Sequence, residues 1–316
     1  MPIDDNKIFY LKYNKVLKGK MTSIKELDVS HLIGKKIGTS TILSELARGG
    51  MAIVFIAYQR NLKRRIAVKI LPKILLTHKK AELFQQEAEA AAILSHPNII
   101  QIFDVGEVDE FIYFTMQLIE GNPLTYQLKS AKKQVLPSKR FLPLKGIIQI
   151  ITQILDALDY AHQQGIIHRD IKPENIMIEK HTQRPIITDF GVAKVLRDAT
   201  EDHSIARGSP LYMPPEQIIA ESTDERSDIY ATGIMLFEML VPKLPLPKFK
   251  SYEDLLKQKL LNKRGFFIKK PSELNPFLNT MMDKIVLKAT AYEPEKRFVN
   301  CSELKNVLEE YQKKYL

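Results

Sequence analysis

Residues 166–191 read IIHRDIKPENIMIEKHTQRPIITDFG, and the reading of this stretch decides the fold. It holds two aspartates, Asp170 and Asp189, with Asn175 and Lys172 between them. The apolar runs at 176–178 and 185–188 are short, rich in isoleucine and separated by a polar turn, which predicts a β-hairpin. Each polar side chain then stands beside a strand end, where a sheet can aim it. Three oxygen-bearing side chains brought together suit Mg²⁺, which takes a few carboxylate oxygens and fills its shell with water and phosphate. A positioned aspartate with a lysine nearby suits phosphoryl transfer, where orientation and charge neutralisation supply most of the catalysis.

HRDIKPEN and DFG, in that order, resemble the catalytic loop and metal-binding triplet of the eukaryotic-type (Hanks-type) serine/threonine protein kinases. Lys172-Pro173-Glu174 has the serine/threonine rather than the tyrosine form. The resemblance implies an α+β, bilobal protein-kinase fold. A five-stranded antiparallel N-lobe with one main helix is expected to precede a mostly helical C-lobe, with ATP and Mg²⁺ (or Mn²⁺) as cofactors. It also implies that Asp170 positions the acceptor hydroxyl, Lys172 neutralises the phosphoryl group, and Asn175 and Asp189 hold the metal.

Bulk properties agree with a globular enzyme. At 316 residues, 45% hydrophobic and 27% charged, the chain can bury a large core. The single cysteine, Cys301, excludes an intrachain disulfide and suits a reducing compartment. A net charge of +10 favours acidic partners, but no aromatic-rich basic motif points to specific nucleic-acid recognition. No apolar run is expected to reach the ~20 residues that span a bilayer, and the acidic start MPIDDNK does not resemble a signal peptide. The expected location is cytoplasmic.

Residues 1–36 form a lysine-bearing extension, read as a short docking arm. The kinase domain is expected over 37–312, divided into an N-lobe at 37–118 and a C-lobe at 119–312, with a tail at 313–316. SELARGGMAIVFIAYQ (44–59) predicts strand, turn, strand. Against the family's G-x-G-x-x-G loop it offers Ala47, Gly49 and Ala52, with Gly50 adjoining, and resembles the bacterial branch of the family. In RRIAVKIL (64–71), Lys69 lies in an apolar run where a cation needs a carboxylate partner. The family's V-A-I-K strand matches here, and Glu87 of the helix predicted at 79–96 is its implied partner. FTMQLIEG resembles the inter-lobe hinge, which places Met116 behind the adenine and Gln117 to Ile119 at its edge. Val54, Ala67 and Met177 would enclose the ring.

Further on, 130–142 is polar and basic and lies between two predicted helices. The apolar spacing of 144–165 predicts a long scaffold helix ending at Gly165. Thr200 and Ser204 are the hydroxyls of the loop after DFG, and a phosphate there could pair with Arg169. GSPLYMPPE (208–216) resembles the family's substrate-pocket segment, with Ser209 bridging Asp170 and Lys172. The resemblance also makes Asp228 the brace of the catalytic loop and Glu216–Arg297 a buried ion pair. Amphipathic helices are predicted at 252–262, 279–290 and 301–316.

The implied function is transfer of the ATP γ-phosphoryl group to Ser or Thr hydroxyls of protein substrates, regulated by phosphorylation of the 192–207 loop. Self-association for autophosphorylation fits that scheme. The thin glycine loop keeps open a catalytically impaired pseudokinase acting as a scaffold. A small-molecule kinase of related fold and a basic nucleic-acid-binding protein are the two remaining rivals.

Overall fold

The computed structural model describes residues 24, 27–49, 52–73, 88–89, 91–190, 210–219, 221–263 and 265–316. They divide into two compact units. The first comprises the described residues up to 73 together with 102–118, and the second comprises 88–101 and 119–316.

The first unit is an antiparallel sheet of β1 (Lys36–Ile37), β2 (Ser40–Arg48), β3 (Ile53–Gln59), β4 (Arg64–Pro72), β5 (Ile102–Val108) and β6 (Phe111–Gln117). Spatial order is β1-β2-β3-β4-β6-β5. There are therefore six strands rather than the expected five. Gly38, at φ +54°, lets a two-residue turn fold Lys36–Ile37 back onto β2, pairing Ile37 with Ser40. Such a two-residue strand is too short to leave an alternation in the sequence.

One face of this sheet carries Ile53, Phe55, Ile66, Val68, Ile70 and Phe111, all within 1% of full burial. Ile24, Leu27, Val29 and Leu32 pack into the same cluster. Arg48 fastens them by donating to Ile24 O (3.0 Å) and Leu27 O (2.6 Å) while it is held by both oxygens of Glu45. The polar composition of the leading residues concealed this apolar spacing.

The second unit has a small sheet of β7 (Gly121–Pro123), β8 (Ile176–Glu179) and β9 (Pro185–Ile187). Its helices are α1 (Leu124–Lys132), α2 (Leu144–Gln163), α3 (Pro215–Ile218), α4 (Arg226–Leu240), α5 (Tyr252–Leu261), α6 (Thr280–Ala289) and α7 (Cys301–Tyr315). Side-chain caps set three of the helix starts. Ser251 Oγ accepts from Asp254 N, Asn279 Oδ1 from Met281 N and Met282 N, and Asn300 Oδ1 from Glu303 N.

Two sequence expectations change. An 18-residue window of mean hydropathy 1.4 does exist within Ser138–Gln163, apolar enough by composition to cross a membrane. Its apolar side chains have a different use. Ile147, Ile148, Ile151, Ile154, Leu155 and Leu158 of α2 are buried, with α2 packed on α4 and α7. Residues 88–101, read as part of the N-lobe, cluster with the helical unit instead. The reason is local pairing: Ile100 N donates to Ile187 O (2.9 Å), Ile187 N to Asn98 O (2.8 Å) and Asn98 Nδ2 to Pro185 O (2.7 Å). These bonds also keep Ile99 and Ile100 out of β5.

Candidate active site

The hairpin forms where its sequence calls for it. β8 and β9 pair antiparallel with Ile176 opposite Ile187 and Ile178 opposite Pro185. Just before β8, Pro173–Asn175 forms one 3₁₀ turn with proline in its first position, where the missing N–H has no partner to lose. That turn swings Asn175 back over Asp170. Asn175 Nδ2 donates to Asp170 O (2.9 Å) and Oδ2 (3.0 Å), and Lys172 Nζ donates to the same Oδ2 (2.6 Å). Three side chains named from the sequence thus form one interlocked group. Both partners of the Asp170–Lys172 ion pair are largely shielded, at 14% and 16% side-chain exposure, so it is screened less than a surface pair.

A second layer fixes the loop from below. Asp228, fully buried in the first turn of α4, accepts from His168 N (2.9 Å), Arg169 N (2.8 Å) and His162 Nε2 (2.8 Å). Burial alone would raise the Asp228 pKa, but the His162 bond and charge and the His168 N–H outweigh it and hold the carboxyl low. Burial likewise pulls His162 down, and its bond to Asp228 more than reverses this, leaving it above the usual histidine value. His168 Nδ1 lies 3.2 Å from Asp170 N, so it accepts, and Nε2 carries the proton donated to Thr188 O (2.9 Å). The His168 ring also meets Phe190 edge-on at 4.6 Å. Through His168 and Thr188 the segment carrying Asp170 is tied to the one carrying Asp189.

Arg169 and Asp189 both have left-handed backbones, φ 62° and 61°, a conformation that L residues adopt at a cost. Nothing in the residue pattern signals it. The pattern also missed His162, whose partner Asp228 is 66 positions away.

In the first unit, strand register places the residues expected around the nucleotide. Ala47 opposes Val54, Val54 opposes Lys69, and Lys69 opposes Phe114; Ala67, two positions from Lys69, opposes Met116. Opposed residues share a face, so Ala47, Val54, Ala67, Lys69 and Met116 all stand on the face opposite the Phe55 core. Lys69 Nζ lies 5.6 Å from the centre of the Phe114 ring. Gly49 N donates to Ala52 O (2.9 Å) at the end of the β2–β3 hairpin. Gln117 ends β6, Ile119 begins the second unit's main segment, and Met177 sits half-buried in β8. Gly50, Glu87, Thr200, Ser204 and Ser209 lie outside the described residues.

The segment after residue 209 is held from several sides. Tyr212 Oη donates to Glu238 Oε2, and burial drives the Tyr212 pKa far above its ordinary value. Lys259 of α5 is 1% exposed and donates to Met213 O (2.8 Å) and Leu211 O, with Tyr230 and Phe266 rings about it. Glu216 and Arg297 form a buried bidentate pair (2.7 and 2.8 Å), joined by Ser227 Oγ at 2.9 Å.

The donor set fits a hard cation. Asn175 Nδ2 is committed to Asp170, which leaves its amide oxygen for a metal, and Asp189 adds a carboxylate. Among the described residues no three His, Cys, Asp or Glu side chains converge. A closed all-protein metal cage is therefore not formed by these residues; two oxygen ligands suit a cation that keeps water and phosphate in its shell.

Residues 40–308 match the family model described as protein kinase domain. The chain belongs to the protein kinase family. This family uses ATP and a divalent metal. Similar relatives are the serine/threonine-protein kinase PrkC of Bacillus subtilis, 36% identical over 86% of this chain, and the probable serine/threonine-protein kinase PknB of Lactococcus lactis, 36% identical over 83%. The chain spans 40% of the length of each. Among solved structures, the kinase domain of Mycobacterium tuberculosis PknI matches at TM-score 0.68 and 25% identity, covering 88% of this chain and 98% of that one. The bilobal kinase fold expected from the sequence stands, with one strand more than anticipated.

Proposed function

We propose that this protein is an ATP-dependent serine/threonine protein kinase that uses Mg²⁺, with Mn²⁺ able to substitute. The observation that carries the reading is the Asp170–Lys172–Asn175 group. A carboxylate held by two donors from its own loop is fixed in direction, as a group that receives or orients a hydroxyl proton must be. Asp170 positions the acceptor hydroxyl and takes up its proton as the hydroxyl oxygen bonds to the γ-phosphorus and the bond from that phosphorus to the β–γ bridging oxygen breaks, with ADP leaving. Lys172 stays paired with Asp170 and places positive charge beside the transferring group. Lys69, with Glu87 as its partner, orients the α- and β-phosphates, while Ala67, Val54, Met116 and Met177 enclose the adenine. Asn175 and Asp189 would hold the metal, which when bound neutralises phosphate charge. Asp228 and His162 keep the loop's backbone in place without touching substrate.

The printed names of the relatives support Ser/Thr as acceptor. Phosphorylation of Thr200 or Ser204 regulates the enzyme in this reading, with Arg169 as the receiving cation, and autophosphorylation proceeds between copies in the cytoplasm. Incubation with Mg·ATP followed by mass-spectrometric mapping tests it. Phosphate on Ser or Thr, including Thr200 or Ser204, is expected. Tight Mg·ATP binding with no transfer to any hydroxyl would favour the pseudokinase scaffold instead.

A further inference from the structure

Between Glu120 and Asp156 the chain has no acidic residue, yet it carries Lys129, Lys132, Lys133, Lys139, Arg140 and Lys145. This one stretch therefore holds a large part of the chain's net positive charge. Lys132 is answered by Glu238 at 2.9 Å. Lys133 and Lys139 are exposed and enter no salt bridge among the described residues. The chain here leaves α1, turns through a 3₁₀ segment at Pro137–Arg140 and enters α2. Arg140 shapes that turn by donating from Nε to Gln134 O (2.8 Å), which holds the connection as an arch over the helix ends.

Beside this turn lies an open groove of about 470 Å³, lined by the apolar Tyr126, Phe141 and Leu142 and the polar Gln127, Ser130, Gln134 and Lys139. Phe141 is propped against Phe277 in an edge-on contact at 6.1 Å. Large apolar side chains here face outward: Tyr126 is 62% exposed, Val135 87% and Phe277 67%. An isolated exposed apolar residue needs no explanation, but several around one concavity mark a contact surface. Apolar side chains interspersed with polar ones beside exposed charges are the ordinary layout of a protein interface.

We propose that this groove docks a segment of a partner protein that combines acidic residues with aliphatic or aromatic ones. Charge chooses the sign of the occupant, since the exposed Lys133 and Lys139, which enter no salt bridge among the described residues, attract acidic chains and repel basic ones. The lining chooses the class: Gln127, Ser130 and Gln134 beside Tyr126 and Phe141 give an open groove with polar groups for a peptide backbone and apolar ones for its side chains. The site lies wholly in the second unit, uses none of the residues assigned to phosphoryl transfer, and is independent of that reading.

Direct binding tests it without ATP. A fluorescein-labelled peptide of alternating glutamate and leucine is titrated by fluorescence anisotropy, beside a glutamine–leucine and a glutamate–glycine control. The acidic apolar peptide is expected to bind at least about tenfold tighter than either control, and to weaken as salt screens the two lysines. Lys133→Glu with Lys139→Glu should abolish its advantage, and Tyr126→Ala should weaken it while circular dichroism stays unchanged. All three substituted side chains are exposed, so folding is not at stake. Equal binding to wild type and variants overturns the proposal. So does binding of vesicles with a 30% phosphatidylglycerol content in place of the peptide, which would assign the patch to a membrane. Absence of peptide binding at millimolar concentration overturns it as well.

Discussion

Asp170, Lys172 and Asn175 show how a few side chains turn a loop into an instrument. Asn175 has two tasks, because its Nδ2 steadies Asp170 while its oxygen remains for a metal. Asn175→Ala should therefore raise the Mg²⁺ concentration for half-maximal rate by at least about tenfold, and a metal titration of initial rates would read it. His162 gives a pH signature. Its folded pKa lies above the unfolded value, so its bond to Asp228 contributes fully below about pH 6.5 and is lost as pH rises through the folded value. Gln at this position can donate at any pH. The stability difference between wild type and His162→Gln, from urea unfolding, should accordingly shrink between pH 6 and pH 9; a constant difference would mean that the histidine is not charged in the fold. Asp228 acts in the opposite sense, its contribution falling away only in acid, as pH drops below about 4. Residue-level legibility was uneven. Asp170 and Asn175 could be named because one short motif holds both, and Asp228 because the family resemblance implied it, whereas His162 and the left-handed backbones of Arg169 and Asp189 depend on distant tertiary partners.

At the level of elements, apolar rhythm made α2, α6 and α7 visible within a residue or two of their ends, and the asparagine caps of α6 and α7 stood in the sequence as start signals. β1 was invisible because two residues carry no rhythm. Ile99 and Ile100, β-branched like the strand that follows them, pair with Ile187 of the helical unit rather than with β6. Two predictions belong here. Arg297 is charged and fully buried at its side chain, and Glu216 is its partner. Burial would raise the Glu216 pKa, but the Arg297 bond and charge bring it down overall. Arg297→Met should cost about 3–5 kcal/mol by urea unfolding, because it strands a buried carboxylate, while Arg297→Met with Glu216→Met should recover much of the loss. In β7, a Cβ added to Gly121 would sit 2.1 Å from Ile178 O. That oxygen is backbone and cannot swing aside, so Gly121→Ala should destabilise by about 1–3 kcal/mol in the same assay. A neutral outcome would mean that the β7–β8 pairing yields.

On the scale of the whole molecule, neither unit holds the complete set. The sheet of the first aligns Ala47, Val54, Ala67, Lys69 and Met116 on one face, and the second holds Asp170, Lys172, Asn175 and Asp189. Family membership was legible because two short motifs specify chemistry, and chemistry tolerates little change in residue type. Ile24, Leu27, Val29 and Leu32 were not, because their burial depends on a sheet that forms later in the chain. The account's central claim is that Asp170 serves the transfer step and not the binding of nucleotide. Measuring Mg·ATP affinity and phosphate transfer to a serine-containing protein, for wild type and Asp170→Asn side by side, tests it most directly. Affinity should change little while turnover falls by about 10²–10⁴; turnover equal to wild type in Asp170→Asn would contradict it.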